Sequence, residues 1–273
     1  MGRGTGGIIV PSVWKAENWE SPGCDCPSLG TSYSVCTNMV FGSRPVLALV
    51  PARGDSKGGP RKNLALLCGR PLLYYTLRSA LDSKIVDQTF LSSDDTEILE
   101  FGSRLGVQTV TRPEAYATDE ASAIDVVRHF IDTLSGEMRA RDPLLVYLQP
   151  TSPLRDAWHI DRAFALLGEQ GADTLVSVVE LQKSPYKTFR LDERQRLQSL
   201  FDERLSNARR QDLPRTFMPN GAIYVFSVGE FMARGGFPSN GSVPYVMNEV
   251  DGIDIDTPED LLRVERILGG RHG

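Results

Sequence analysis

The chain is organised around Val46-Leu47-Ala48-Leu49-Val50, an apolar strand that runs through Pro51 and Ala52 into the loop Arg53-Gly54-Asp55-Ser56-Lys57-Gly58-Gly59-Pro60-Arg61-Lys62-Asn63. Four cations, Arg53, Lys57, Arg61 and Lys62, stand there against one acid, Asp55, in a chain of formal net charge −5. A cluster that runs against the overall charge needs a local reason. Gly54, Gly58 and Gly59 let backbone N–H groups turn inward and approach oxygens closely, while the side chains supply countercharge, so the loop suits a polyphosphate. It is neither a G-x-x-x-x-G-K-[ST] loop, because Lys57 precedes its paired glycines, nor a G-x-G-x-x-G turn. The competing reading is a solvated basic turn between a strand and a helix.

From Val46 onward strand and helix patterns alternate. Leu73, Leu77 and Leu81 fall on one helical face, with Pro71 suited to the first turn. Strands are expected at Gln88–Ser92, Val107–Thr111, Leu144–Gln149 and Thr174–Val179. Helices are expected near Thr96–Leu105, Ala121–Glu137 and Asp156–Gly168. Beyond a polar stretch, strands resume at Ala222–Phe226 and Tyr245–Asn248. This order implies an α/β fold, a doubly wound and mostly parallel sheet with right-handed crossovers. At 273 residues, 41% hydrophobic and 24% charged, one such domain with an appendage accounts for the chain. Between about 180 and 219 the core period lapses into Arg, Asp and Gln, which reads as an insertion with its own work.

Residues 1–43 are rich in Gly, Ser, Pro and Cys, lack a hydrophobic period and lack the pattern of a signal peptide, so they read as a disordered extension before a domain spanning 44–273. Gly2, Gly4 and Gly7 fit G-x-G-x-x-G, but no strand precedes them. Cys24, Cys26 and Cys36 fall short of a four-ligand zinc set, and Cys68, in an apolar setting, reads as a small core residue. The cysteines fit a reduced, cytoplasmic compartment. Met39, shortly before the first strand, is a plausible translation start. A pI of about 5.4 argues against nucleic acid as a partner, and no apolar run is long enough to span a membrane.

In sheets of this kind ligands sit beyond the carboxyl ends of the strands, so the residues just after each strand carry the chemistry. Gln149-Pro150-Thr151-Ser152-Pro153-Leu154-Arg155 presents an amide, two hydroxyls and a guanidinium from a proline-stiffened turn, a set suited to a polyhydroxylated, anionic ligand. It is equally a turn in which Ser152 or Asp156 caps the next helix. Gly252-Ile253-Asp254-Ile255-Asp256 alternates with period two, so Ile253 and Ile255 face the core while Asp254 and Asp256 share the other face, their Cα atoms roughly 7 Å apart. Two carboxylates so placed can converge on Mg²⁺, which prefers a few carboxylates with phosphate oxygens and water. Thr257, Pro258 and Asp260 also make a helix start to which Asp256 could belong, but Asp254 has no capping duty. His129, His159 and His272 form no catalytic arrangement, and no G-x-S-x-G elbow supports acyl transfer.

Pro51 through Asn63, Leu148-Gln149-Pro150-Thr151-Ser152-Pro153-Leu154-Arg155, Pro219-Asn220-Gly221-Ala222-Ile223-Tyr224 and Asp254-Ile255-Asp256-Thr257-Pro258-Glu259-Asp260-Leu261 together resemble the acylneuraminate cytidylyltransferases, the CMP-sialic acid synthetases. The match runs in order from about Val46 to Leu268. The resemblance implies a Rossmann-like nucleotidyltransferase fold in which residues 180–219 serve as a dimerisation element. It implies transfer of CMP from CTP to the anomeric hydroxyl of a nine-carbon 2-keto (nonulosonic) sugar acid, with Mg²⁺ as cofactor, pyrophosphate as the other product and a homodimer as the assembly. Carried over by motif, Arg53, Ser56, Lys57, Lys62 and Asn63 hold the nucleotide, with Lys57 at the α-phosphate and leaving group, and Arg112 supports that site. Asp254 and Asp256 bind the metal, Asp254 joining Arg53 and Lys57 in catalysis. Gln149, Thr151, Ser152 and Tyr224 contact the sugar acid, and Lys187 and Arg210 reach it from the neighbouring subunit.

One position departs from the pattern. N-acetylneuraminate-specific members carry an arginine immediately before the Pro-Asn-Gly-Ala-Ile-Tyr motif, where this chain has Met218. Losing a bidentate carboxylate partner alters sugar preference, which opens legionaminate- and pseudaminate-like acids beside N-acetylneuraminate. Two alternatives remain: a related nucleotidyltransferase for another sugar, such as octulosonate, and a catalytically silent nucleotide-binding protein.

Overall fold

A computed structural model describes residues 42–54, 61–118 and 121–271. The extension up to residue 41, with Cys24, Cys26, Cys36 and Met39, lies outside the described residues, as do Ser56 and Lys57 of the loop. In chain order the elements are β1 (Val46–Pro51), a small hairpin of β2 (Leu66–Leu67) and β3 (Arg70–Pro71), α1 (Leu72–Asp82), β4 (Gln88–Ser93), α2 (Thr96–Arg104), β5 (Gln108–Thr111), α3 (Ala123–Thr133), α4 (Gly136–Ala140), β6 (Leu144–Tyr147) and α5 (Ala157–Glu169). There follow β7 (Leu175–Glu180), the hairpin β8 (Phe189–Leu191) and β9 (Leu197–Ser199), α6 (Glu203–Ser206), β10 (Phe217–Ser227), α7 (Val228–Arg234), β11 (Val243–Met247) and α8 (Pro258–Arg271).

Seven strands form the main sheet in the order β11-β7-β10-β6-β1-β4-β5. All pair in parallel except β10, which is antiparallel to both β6 and β7. Two-sided burial explains the apolar run of β1: Val46, Ala48 and Val50 join a core with Leu73, Leu77, Ile160 and Phe164 of α1 and α5, while Leu47 and Leu49 join a second core with Val127, Phe130 and Phe231 of α3 and α7. Each fully buried Leu or Phe here contributes about 1.5–3 kcal/mol by leaving water. A third cluster packs Ile253, Ile255 and Leu154 against Leu261 and Val264 of α8, and it anchors the acidic segment of the chain.

The expected helix over 121–137 is two helices. Leu134 leaves helical geometry at ψ 142°, and the Ser135 side chain caps α4 by accepting from the Met138 N–H. Cys68 is not a core residue. It sits exposed at the hairpin tip with φ 48°, beside Gly69 at φ 75°, because a two-residue turn of this hand needs positive φ at both central positions.

The antiparallel pairing of β10 also defines the insertion. A hairpin between antiparallel neighbours needs only a few residues, yet residues 181–216 intervene between β7 and β10. Because β6 and β7 both run opposite to β10, they run parallel to each other, and the excursion leaves and re-enters the sheet at the carboxyl edge of the parallel strands. Among the described residues no helix is long and apolar enough to cross a membrane.

Candidate active site

After β1 the chain winds outward through β4 and β5, then crosses to β6 on the other side of β1. That reversal opens a crevice at the carboxyl ends of β1 and β6. A cleft of about 440 Å³ lies there, lined by Arg53, Lys62, Asn63, Arg112, Gln149, Thr151, Asp254 and Asp256. Residues separated by two hundred positions in sequence thus meet in one cavity.

Its cationic wall is built on the ends of the glycine loop. Arg61 takes φ 59°, and its N–H donates to the Gly54 carbonyl at 3.1 Å, so the loop is closed at its base. A 3₁₀ turn at Lys62–Leu64 then buries Lys62 and Asn63. The Asn63 amide donates to the Arg53 carbonyl at 2.9 Å, and Arg53 Nη1 donates to the Thr118 carbonyl at 3.3 Å. Arg112, at the end of β5, is 5% exposed and donates to the Ser92 carbonyl at 2.8 Å and to Ser92 Oγ at 3.3 Å. Burial lowers its pKa, and Asp94 and Tyr147 act against that.

The acidic wall keeps the expected alternation. Ile253 and Ile255 are buried in the third core cluster, while Asp254 and Asp256 turn to the cleft. Ile255 N–H donates to the Thr151 carbonyl at 2.8 Å, tying this segment to the turn after β6. The helix cap is made by other residues. Asp260 Oδ2 accepts from the N–H groups of Asp256 and Thr257, and Thr257 Oγ1 accepts from Asp260 N–H. The Asp256 carboxylate therefore has no capping role, and its Oδ1 lies 3.4 Å from Lys62 Nζ. Burial raises the pKa of Asp254, a hydrogen bond with Thr151 opposes this, and the Asp256 charge raises it further. Asp254 Oδ1 is buried without a hydrogen-bond partner. A solvent-shielded carboxylate oxygen left unpaired beside a second carboxylate fits a divalent cation completed by phosphate and water oxygens.

Gln149 and Thr151 line the cleft. Ser152 does not: it is fully buried with an unpaired hydroxyl, because the proline-stiffened turn folds it under the surface. Tyr224 lies behind Tyr147, ring centroids 6.3 Å apart, and its pKa is raised by burial and then by Asp254. Lys187 and Arg210 are exposed on the insertion and are not among the lining residues; Arg210 donates to Gln182 Oε1 at 3.0 Å. Tyr116, Thr118 and Tyr147 also line the cleft and were not anticipated, although Tyr116 and Thr118 follow β5 at the expected edge. His159 is buried between Asp156, 2.7 Å from Nδ1, and Asp251, 3.5 Å from Nε2, and lines no part of the cleft.

The model of the family described as Cytidylyltransferase matches residues 47–235. The N-acylneuraminate cytidylyltransferase of Streptococcus agalactiae serotype V is 30% identical over 221 residues, which cover 80% of this chain and 52% of that protein. The pseudaminic acid cytidylyltransferase of Campylobacter jejuni serotype O:2 is 31% identical over 216 residues, 79% of this chain and 92% of that one. The chain thus spans about half the length of the N-acylneuraminate cytidylyltransferases it matches and nearly all of the pseudaminic acid enzyme. A solved CMP:2-keto-3-deoxy-manno-octonic acid synthetase complexed with CTP shares the fold, with a TM-score of 0.61, 16% identity and coverage of 83% of this chain and 99% of its own. A 4-diphosphocytidyl-2C-methyl-D-erythritol synthase likewise reaches a TM-score of 0.61 at 14% identity. On sequence, the chain belongs to the cytidylyltransferase family.

Proposed function

We propose that this chain transfers CMP from CTP to the anomeric hydroxyl of a nonulosonic acid, releasing pyrophosphate. The observation that carries the reading is the meeting of Arg53 and Lys62 with Asp254 and Asp256 in one cleft at the strand reversal, in a chain of this family. In the reaction the C2 hydroxyl oxygen of the sugar acid attacks the α-phosphorus in line, and the bond from phosphorus to the bridging oxygen of the leaving pyrophosphate breaks.

Positioning and charge neutralisation carry most of such a rate. Arg53, Lys62 and Asn63, with Ser56 and Lys57 of the loop, hold the nucleotide, and buried Arg112 stiffens that wall through Ser92. Gln149 and Thr151 orient the sugar acid, with Tyr224 behind them and Lys187 and Arg210 supplied by a second copy of the chain. Asp254 and Asp256 would hold Mg²⁺, which when bound neutralises phosphate charge. One of the two carboxylates would also take the proton of the attacking hydroxyl, and the pKa of Asp254, raised by burial, supports that role for it.

Met218 is 51% exposed at the start of β10, so the residue before Pro219 presents a thioether and not a guanidinium. This supports a pseudaminate- or legionaminate-like acid as substrate as readily as N-acetylneuraminate. Pyrophosphate release with CTP, Mg²⁺ and a panel of sugar acids tests the reading. Turnover with a nonulosonic acid is the expected result; turnover with octulosonate alone, or with none, overturns it, and a strong preference for N-acetylneuraminate removes the role given to Met218.

A further inference from the structure

Strand β7 carries one hydroxyl in an aliphatic run, Leu175-Val176-Ser177-Val178-Val179. Ser177 is fully buried in the sheet. Its Oγ donates to Asn220 Oδ1 at 2.6 Å and accepts from the Ile223 N–H at 2.7 Å. Asn220, 7% exposed, also accepts from the Ala222 N–H at 3.3 Å and donates to Met247 Sδ at 3.2 Å. The pairing of β10 with β7 shifts register between Pro219 and Tyr224, so these bonds fasten both ends of an irregularity that the regular ladder does not hold.

Two halves of the cleft rest on that irregularity. Gly221, at φ 77°, packs so closely under Gln149 that a Cβ there would overlap the carboxamide oxygen. Gly252, two residues before Asp254, lies against the same asparagine: a Cβ would stand 2.8 Å from Asn220 Nδ2 and 2.6 Å from Val179 Cγ1. Asn220 and Gly221 are thus the common seat of the amide that faces the sugar acid and of the segment that carries the carboxylates.

We propose that Ser177 is a positioning residue of the cleft: through Asn220 it sets the irregularity in β10 on which Gln149 and the Asp254 segment are both seated. The kinetic part rests on the transferase reading given above; the structural part does not. Removing the hydroxyl leaves the Ile223 N–H unpaired in the core and frees one side of the Asn220 carboxamide, and a backbone shift there is transmitted by contact at Gly221 and Gly252.

The test compares Ser177→Ala, Ser177→Thr and wild type as full chains. In crystal structures without substrate, Ser177→Ala is expected to move the Gln149 carboxamide and the Asp254 carboxylate from their wild-type positions, and Ser177→Thr, which keeps the hydroxyl, to restore them. In turnover, Ser177→Ala is expected to raise KM for the sugar acid about tenfold, a rise expected to vanish in a Gln149→Ala background, and to lower kcat through the displaced Asp254 in either background. Unmoved Gln149 and Asp254 in Ser177→Ala overturn the proposal. So does an unchanged KM for the sugar acid, or a rise in it that persists without Gln149. If wild type turns over no sugar acid, the transferase reading fails, and the crystallographic comparison still decides the role of Ser177.

Discussion

Asp254 is held where a carboxylate is least stable, half shielded from water beside a second acid and with one oxygen unpaired. Such a group costs stability when ionised and is expected to be kept for its chemistry. Asp254→Asn, neutral and of nearly the same shape, is therefore expected to cut turnover at least about a hundredfold while leaving Tm, measured with chelator present, at or up to about 4 °C above wild type. Pyrophosphate release and thermal unfolding check the two halves, and wild-type turnover excludes a metal or base at this position. Lys57→Ala is expected to lower kcat comparably; a rise in KM for CTP alone would mean that Lys57 serves binding and not the transition state. Single residues were legible where chemistry is written in a short pattern. The alternation around Asp254 and Asp256 put both on one face before any fold was known. Ser152 misled, because a hydroxyl in a turn reads as available and only packing reveals it buried. Ser177 and Gly252 gave no signal, since their partners are remote in sequence.

At the scale of elements, α8 ties the acidic wall to the fold through its first turn. Thr257 and Asp260 exchange hydrogen bonds there, and Asp260 also accepts from the Asp256 N–H. Burial pushes the Asp260 carboxyl up, but the Thr257 hydroxyl and the two backbone N–H groups outweigh it and hold its pKa below the ordinary value. A carboxyl lowered by folding contributes stability above its unfolded pKa and loses it as pH falls through the folded one. Asp260→Asn is thus expected to flatten the fall of Tm on acidification below about pH 4. Thr257→Ala is expected to cost about 1 kcal/mol, read by denaturant unfolding. The parallel strands and the helices were readable from apolar period and length. The direction of β10 was not, because an apolar strand looks the same whichever way its neighbours run. Nor was its start at Phe217, because Pro219-Asn220-Gly221 carries turn residues and proves to be an irregularity within a strand.

At the scale of the molecule, several of the large exposed apolar side chains among the described residues gather on the insertion. Phe189, Leu191, Leu197, Leu200 and Phe201 are all exposed, Leu197 by 71%. Several large apolar side chains left in water on one short excursion suit a surface that is covered by a second copy. Leu197→Asp together with Leu191→Asp is expected to turn a dimer into a monomer by light scattering. It is also expected to raise KM for the sugar acid, since Lys187 and Arg210 would no longer be delivered across the interface. A wild-type monomer would remove this part of the reading. The lapse of period was visible in sequence, whereas the departure of residues 181–216 from the carboxyl edge of the parallel strands was not, because that depends on the direction of one strand.

That one reversed strand has a broader consequence. A parallel strand can be entered only after a crossover that spans the sheet, so lengthening its connection disturbs a packed layer. The connection into β10 begins and ends on the same edge, and its own hairpin adds no strand to the main sheet. The length and composition of residues 181–216 can therefore vary without a change in the order of the seven-stranded frame. Under the proposed function, grafting the corresponding segment from a relative is expected to alter acid preference while KM for CTP stays unchanged.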